Sequence, residues 1–147
     1  NKTFIELDEI KKITNSSENY HVSELADQCL SKNIKKTLNI LNENISSNEE
    51  GILILKNFLY KLKRLKKLQE NLINENNFDI VISSYKPPIF WKEKEIVKRQ
   101  LKVRSLNEIR FLIKKVNNLE NIVKKNSHLS KLIINNFILE SLEIANN

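Results

Sequence analysis

Residues 85–101 read YKPPIFWKEKEIVKRQL and contain both prolines of the chain, Pro87 and Pro88. A residue that precedes proline is driven out of the α region, whereas proline at the first helical position fixes φ for a helix. The pair therefore predicts a sharp boundary between two helices. The second helix is expected to begin directly after it and to run from Ile89 to about Lys102.

Glycine is even rarer than proline, because Gly51 is the only one in 147 residues. Tight turns and bulges of β-sheets depend on glycine, so this composition argues against a β architecture. Apolar residues recur every three or four positions, and alternation at period two is nowhere convincing. We expect an all-α fold, a compact bundle of about six to seven helices. The length suits one domain that buries roughly two thirds of its unfolded surface.

The spacing of apolar residues predicts where these helices lie. Residues 5–13 give a short helix, followed by a linker over residues 14–20. Seven more segments follow, at about Val22–Ser31, Ile34–Ile45, Ser47–Asn74, Asn77–Ser84, Ile89–Lys102, Ser105–Lys125 and Ser127–Ile144. Ser47 with Glu50, and Ser105 with Glu108, have the spacing of a capping box. The last segment is apolar over most of its circumference, which is typical of a buried or partner-contacting helix.

Residues that bear catalytic chemistry are few and scattered. His21, Cys29 and His128 share no motif and lack the spacing of a zinc site, so no metal is expected. Cys29 falls on an apolar helical stripe and is predicted to lie in the core, with both histidines exposed or capping. A single glycine cannot form a phosphate-binding loop. We therefore expect no catalytic residue, no cofactor and no enzymatic activity.

The overall charge leaves two interpretations open. The formal net charge is +7 and the isoelectric point is near 9.4, as in many nucleic-acid-binding proteins. The 25 basic residues are interspersed with 18 acidic ones, which is equally typical of an ordinary solvated surface. Candidate DNA contacts are Lys63, Lys67, Lys98, Arg99 and Lys102, although Glu93 and Glu95 interrupt the second basic run.

Further features of the sequence concern location, extent and packing. The chain has a single cysteine and shows no signal peptide or membrane span, which predicts a cytoplasmic protein. Because the chain contains no methionine and begins at Asn1, we expect it to be a piece of a longer protein. Trp91 beside Phe90 suits either an interface anchor or base-stacking platform, or a partly buried packing residue, which is the commoner case. Arg104, just before the Ser105 cap, is interpreted as a helix-end cation.

The segment PPIFWKEKEIVKRQL resembles the collar region of the delta subunit of bacterial DNA polymerase III. The stretch from Val22 to Leu65 is similar to the helices that precede this segment in the same subunit, and the resemblance covers about residues 6–140. The chain differs from this family at a few positions. Family members commonly have glycine where Lys32-Asn33 and Asn48 lie in this chain, and they often have an aromatic residue where it has Arg104.

This resemblance implies a noncatalytic clamp-loader subunit. Residues 1–18 would be the tail of the preceding lid-like domain, and 19–147 the helical collar that assembles with the ATPase (gamma/tau) and delta-prime subunits. The sliding clamp would be met only by other domains. The expected subunit interface comprises the proline segment and the last helix, with Phe90, Trp91, Ile133, Phe137 and Ile138. The alternative is a stand-alone basic helical module that binds nucleic acid.

Overall fold

The computed structural model describes residues 20–43 and 48–143, which form seven α-helices and contain no strand. They are α1 (residues 20–30), α2 (Ile34–Asn42), α3 (Asn48–Glu75), α4 (Phe78–Ser84), α5 (Lys94–Val103), α6 (Leu106–Lys125) and α7 (Ser130–Glu143). The predicted all-α bundle is thereby confirmed. The predicted helix at residues 5–13, the boundary at residue 18 and the Ser47 cap lie outside the described residues.

Helix α3 is the longest element and the central one, because it packs against α4, α5, α6 and α7. Its predicted apolar stripe is buried from Leu55 to Leu68. Phe58 meets Phe137 of α7 edge to face, with ring centroids 5.1 Å apart. Each such fully buried side chain contributes roughly 1.5–3 kcal/mol of hydrophobic free energy.

Several helix ends are capped as their sequences predict. Asn33, Asn77 and Ser105 each accept a hydrogen bond from the backbone N–H three residues later, at 3.2, 3.1 and 3.2 Å. The Ser105 cap was predicted. Its partner Glu108 accepts instead from Lys32 Nζ at 3.3 Å, so the second half of the expected capping box is replaced by an ion pair.

The break after α1 is closed by Lys32, which has φ 58°. Asn33 N–H donates to Gln28 O and Lys32 N–H to Cys29 O, both at 3.0 Å. This is the hydrogen-bond pattern of a Schellman motif, in which the left-handed residue is usually glycine. The left-handed position is therefore held by a lysine, whose side chain is fixed by Glu108.

The proline segment differs from its prediction, because no helix starts at Ile89. Residues 85–90 are not helical, a single 3₁₀ turn spans Trp91–Glu93, and α5 begins only at Lys94. Extended backbone is what consecutive prolines impose on the residues before them. Ile89 enters the core while Phe90 faces outward. Phe90 therefore does not share the buried face of Val97 and Leu101, although the predicted helix would have placed all three on one stripe.

Two other predicted boundaries shift. Helix α2 ends at Asn42 rather than Ile45, where the Glu43 N–H turns back to Ile40 O. The last segment opens with a 3₁₀ turn at Ser127–Leu129 before α7 begins. Only one face of α7 is buried, and Leu132 and Leu139 are exposed. Across residues 20–43 and 48–143, none of the helices is both apolar and long enough to traverse a lipid bilayer.

Candidate functional site

An ion pair lies between α1 and α3, where sequence patterns predict only apolar contacts. Lys61 Nζ donates to Asp27 Oδ1 at 2.8 Å, and both residues are buried. Gln100 of α5, also buried, donates from Nε2 to Asp27 O at 3.1 Å and Oδ1 at 3.3 Å. Three helices are thus joined at one carboxylate, and this network fixes their mutual positions.

A second ion pair joins α3 to the turn that follows the prolines. Arg64 Nη1 lies 3.4 Å from Glu93 Oε2, and its Cζ lies 5.9 Å from the Tyr60 ring centroid. Arg64 and Lys61 are buried, whereas Lys63 and Lys67 are exposed. The basic run of α3 therefore wraps around its helix, as an ordinary solvated helix would, with two of its cations committed to internal carboxylates.

A cleft of about 410 Å³ opens above these ion pairs, between α1 and the start of α5; we call it the α1–α5 cleft. Its lining residues are Tyr20, Ser23, Glu24, Asp27, Gln28, Phe90, Lys92, Glu93 and Ile96. A neighbouring depression of about 370 Å³ shares Gln28 and Ile96 and continues toward Lys36 and Arg99. The two together form a groove along α1 and α5.

Exposed aromatic side chains gather around the α1–α5 cleft. Tyr20 and Phe90 line it, Trp91 follows Phe90 with its ring centroid 5.9 Å away, and Tyr60 reaches Glu93 through Arg64. Among the described residues, only one other exposed aromatic, Phe111, lies elsewhere. Trp91 is 69% exposed and Phe90 55%, so the interpretation of Trp91 as a partly buried packing residue is wrong.

The residues predicted for a subunit interface are placed in different environments. Phe90 and Trp91 are on the surface. Ile133 is half-buried and lines a groove of about 230 Å³ between α6 and α7, with Leu119 and Ile122. Phe137 and Ile138 belong to the core, at 1% and 0% exposure. Ile138 is therefore corrected, because a side chain enclosed by its own bundle cannot reach a partner, and Phe137 is corrected to a core residue that borders this groove.

The candidate DNA contacts fall on two helices and are not equally free. Lys63 and Lys67 are exposed on α3, and Arg99 is exposed beside the groove. On α5, Lys98 is paired with Asp79 at 3.1 Å. Lys102 lies 5.7 Å from the Phe78 ring. The α5 group is thus partly engaged within the protein, and the α3 group is the more available.

Arg104 has a larger role than a cation at the end of its own helix. It is 1% exposed, and its guanidinium donates to Leu30 O at 3.1 Å, Cys29 O at 2.8 Å and Ser141 O at 2.8 Å. These carbonyls lie at the C-terminal ends of α1 and α7, where a cation is favoured. Arg104 is thus a cation at the C-terminal ends of α1 and α7, and not at the end of its own helix as the sequence interpretation had it.

Burial also governs the nearby thiol. Cys29 is fully buried, as predicted, and desolvation raises its pKa to about 12. Its Sγ lies 3.8 Å from Ile138 O. The thiol is therefore protonated at neutral pH, which is the opposite of what a cysteine nucleophile requires. His21 and His128 are exposed.

Sequence reasoning missed the buried polar residues, although a signal for them exists. Gln100 and Arg104 continue the helical stripe of Val97 and Leu101, at spacings of three and four residues. Lys61 likewise lies three residues after Phe58. A polar residue on an apolar stripe is expected to find a buried partner, and each of these does.

Within residues 20–43 and 48–143, no three side chains of His, Cys, Asp or Glu come together as a metal site would require. Comparisons with protein-family models, with characterised proteins and with solved structures found no match for this chain. The candidate site is therefore assessed on its own geometry.

Proposed function

We propose that this chain is a noncatalytic assembly domain of a bacterial clamp loader in the cytoplasm. In this role the bundle joins the ATPase and delta-prime subunits of DNA polymerase III during DNA replication. It positions neighbouring subunits and performs no chemistry of its own. The sliding clamp is contacted by other domains.

The observation that carries this proposal is the exposure of Phe90 and Trp91. They lie inside the PPIFW segment, which bears the resemblance to the delta-subunit collar. Tryptophan is enriched at the energetic centres of protein interfaces, because one rigid side chain excludes water from a large area. An exposed Phe-Trp pair beside a cleft is expected where another protein binds.

The construction of the bundle supports the same role. A subunit that fixes the position of its neighbours must hold its interface residues in place when it is free. The start of α5 is tied to α3 by Arg64 and Glu93, and α1 is tied to α3 by Lys61 and Asp27. The exposed aromatics are therefore presented on a preorganised surface, which reduces the entropy lost on association.

The proposal is tested by mixing the 147-residue chain with the ATPase and delta-prime subunits of its own organism. Mass measured by light scattering after size exclusion should show one complex of defined stoichiometry. Separate elution of all three proteins at micromolar concentration would contradict the proposal.

A second candidate, a basic module that binds nucleic acid, is favoured by the solvent face of α3. This face carries, at helical spacing, the exposed residues Lys56, Tyr60, Lys63, Lys67, Asn71 and Asn74. It spans about 27 Å at 1.5 Å per residue, and Glu70, the acidic side chain between Lys56 and Asn74 at the edge of this face, lies 3.8 Å from Arg110 Nη2. Lysines can neutralise phosphates, and Tyr60 offers a ring for a base to stack on.

The two candidates differ in how binding depends on salt and on a partner. A nucleic-acid module binds single- or double-stranded DNA without any protein, and its affinity falls steeply between 50 and 200 mM salt. The variant Lys63→Gln/Lys67→Gln should reduce the slope of log affinity against log salt by about two. DNA binding that is absent in 50 mM salt would remove this candidate.

A further inference from the structure

We infer that the α1–α5 cleft receives a cationic side chain, a lysine or an arginine, from a partner subunit, and that Glu24 binds it. The inference rests on the proposed function and deepens it, since it names the face of the bundle that binds and the chemistry of the group that is bound.

The α1–α5 cleft is lined by three carboxylates and one cation, Lys92, whose Nζ lies 5.4 Å from the Trp91 ring centroid. Asp27 is paired with Lys61 at 2.8 Å and Glu93 with Arg64 at 3.4 Å. Glu24 accepts a hydrogen bond from the neutral Gln28 amide at 2.7 Å. No cationic side chain of the described residues, Lys92 included, lies within ion-pair distance of it. Glu24 is therefore the carboxylate of the cleft that an external cation would pair with.

The aromatic walls favour the same occupant. Tyr20 and Phe90 line the cleft together with Glu24. A ring face attracts a cation, and the attraction increases when the cation is removed from water. The aliphatic stem of lysine or arginine meanwhile packs on apolar surface. A cleft lined by a carboxylate and two rings thus offers a charged partner for the head group and apolar surface for the stem.

The α1–α5 cleft is preorganised, so binding of a cation to Glu24 is expected to contribute to affinity. The floor of the cleft is held by Asp27, which binds both Lys61 and Gln100. The opposite wall is held by the Arg64–Glu93 pair. A group that binds Glu24 therefore does not have to reorganise the bundle, and its interaction energy contributes directly to affinity.

The test measures affinity for the ATPase and delta-prime subunits by titration calorimetry. Glu24→Gln keeps the shape and the hydrogen bond to Gln28 and removes the charge, so affinity should fall on the order of ten-fold or more. Trp91→Ala should weaken binding about thirty-fold, as for an interface hot spot. Matched controls are Glu120→Gln on α6 and Ile73→Ala on α3, where Ile73 is exposed. Neither residue lines the α1–α5 cleft or the groove between α6 and α7, so both variants should leave the affinity unchanged. Circular dichroism and thermal melting confirm that each variant folds.

The outcomes separate this inference from the proposed function. If the unaltered chain binds neither subunit, the proposed function fails and the inference fails with it. If it binds, and Glu24→Gln binds equally well, assembly stands but recognition of a cation in the cleft is overturned. Loss of affinity with Glu24→Gln and Trp91→Ala, with both control variants unchanged, supports the inference.

Discussion

The guanidinium of Arg104 is enclosed by the ends of two helices, and burial lowers its pKa from the ordinary arginine value. A buried charge is stable only when its donors are satisfied, and here three backbone carbonyls accept from it. Arg104 therefore supplies the hydrogen bonds that connect α1 with α7.

Replacement of Arg104 by methionine should therefore destabilise the fold. Arg104→Met keeps an unbranched apolar stem but leaves Cys29 O, Leu30 O and Ser141 O without this donor. The free energy of unfolding should fall by about 3 kcal/mol or more, measured by urea denaturation. Arg104→Lys keeps the charge without the planar fork, so its loss should be smaller. Equal stability of the two variants and the unaltered chain would contradict the structural role.

Cys29 gives the stability a measurable dependence on pH. The pKa of a cysteine thiol in an unfolded chain is roughly 8.5, whereas burial raises the pKa of Cys29 to about 12 in the folded protein. Between these values the folded state keeps a proton that the unfolded state has lost, so stability falls as pH rises. Below the unfolded value this contribution is fully present.

The prediction is isolated by comparing the unaltered chain with Cys29→Ala, since lysines titrate in the same range in both. The difference in free energy of unfolding between the two proteins should change by about 1.4 kcal/mol per pH unit between pH 9 and pH 11, against the unaltered chain. Urea denaturation at pH 7, 9, 10 and 11 provides the measurement. A constant difference would show that the thiol does not retain its proton in the folded state.

At the scale of elements, the only glycine of the chain lies where α3 closely approaches α7. A Cβ at Gly51 of α3 would lie 2.1 Å from Ser130 Oγ of α7. Alanine is normally about 1 kcal/mol better than glycine inside a helix. Here Gly51→Ala should instead lower the free energy of unfolding by about 1 kcal/mol, because the hydroxyl must be displaced from a buried position.

A double substitution tests this cause directly. Ser130 Oγ has no hydrogen-bond partner among the described residues, so Ser130→Ala should cost little. With the hydroxyl removed, the remaining neighbours of the new Cβ lie at 3.5 Å, an ordinary contact distance. Gly51→Ala should then stabilise the Ser130→Ala protein, as measured by thermal denaturation. Additive effects of the two substitutions would contradict the proposed steric coupling.

Helix positions were largely predictable, because the apolar stripe of a helix follows from its own spacing. The stripe from Leu55 to Leu68 and the Ser105 cap needed no tertiary information. The register after the prolines required tertiary information, because Pro87 and Pro88 restrict the backbone but do not determine whether Ile89 or Phe90 enters the core. Packing decided in favour of Ile89.

The candidate site was predictable only in its aromatic part. Phe90 and Trp91 were identified from sequence, whereas the cleft beside them depends on α1, α3 and α5 meeting at Asp27. Pairing between residues so distant along the chain leaves no local signature. Phe137 and Ile138 were misassigned for a related reason, since an apolar helix does not reveal which of its faces is buried.

At the scale of the molecule, a subunit that joins two different neighbours, as proposed, needs two faces, one for each neighbour. The structure offers two separate surfaces. One is the α1–α5 cleft with Trp91, and the other is the α6–α7 groove, with the exposed Leu132 and Leu139 on α7. The cleft and the groove share no lining residue. The two faces differ in chemistry, because the cleft contains three carboxylates and the groove is largely apolar.

Substitutions on the two faces should therefore affect different partners. Leu132 is 65% exposed, so Leu132→Asp should leave the thermal stability nearly unchanged and weaken binding to one subunit through the cost of burying a charge. Trp91→Ala should weaken binding to the other. Pairwise calorimetry of each variant with the ATPase subunit and with delta-prime distinguishes the two. If both substitutions weaken the same partner and spare the other, the two surfaces belong to one interface and the two-faced arrangement is wrong.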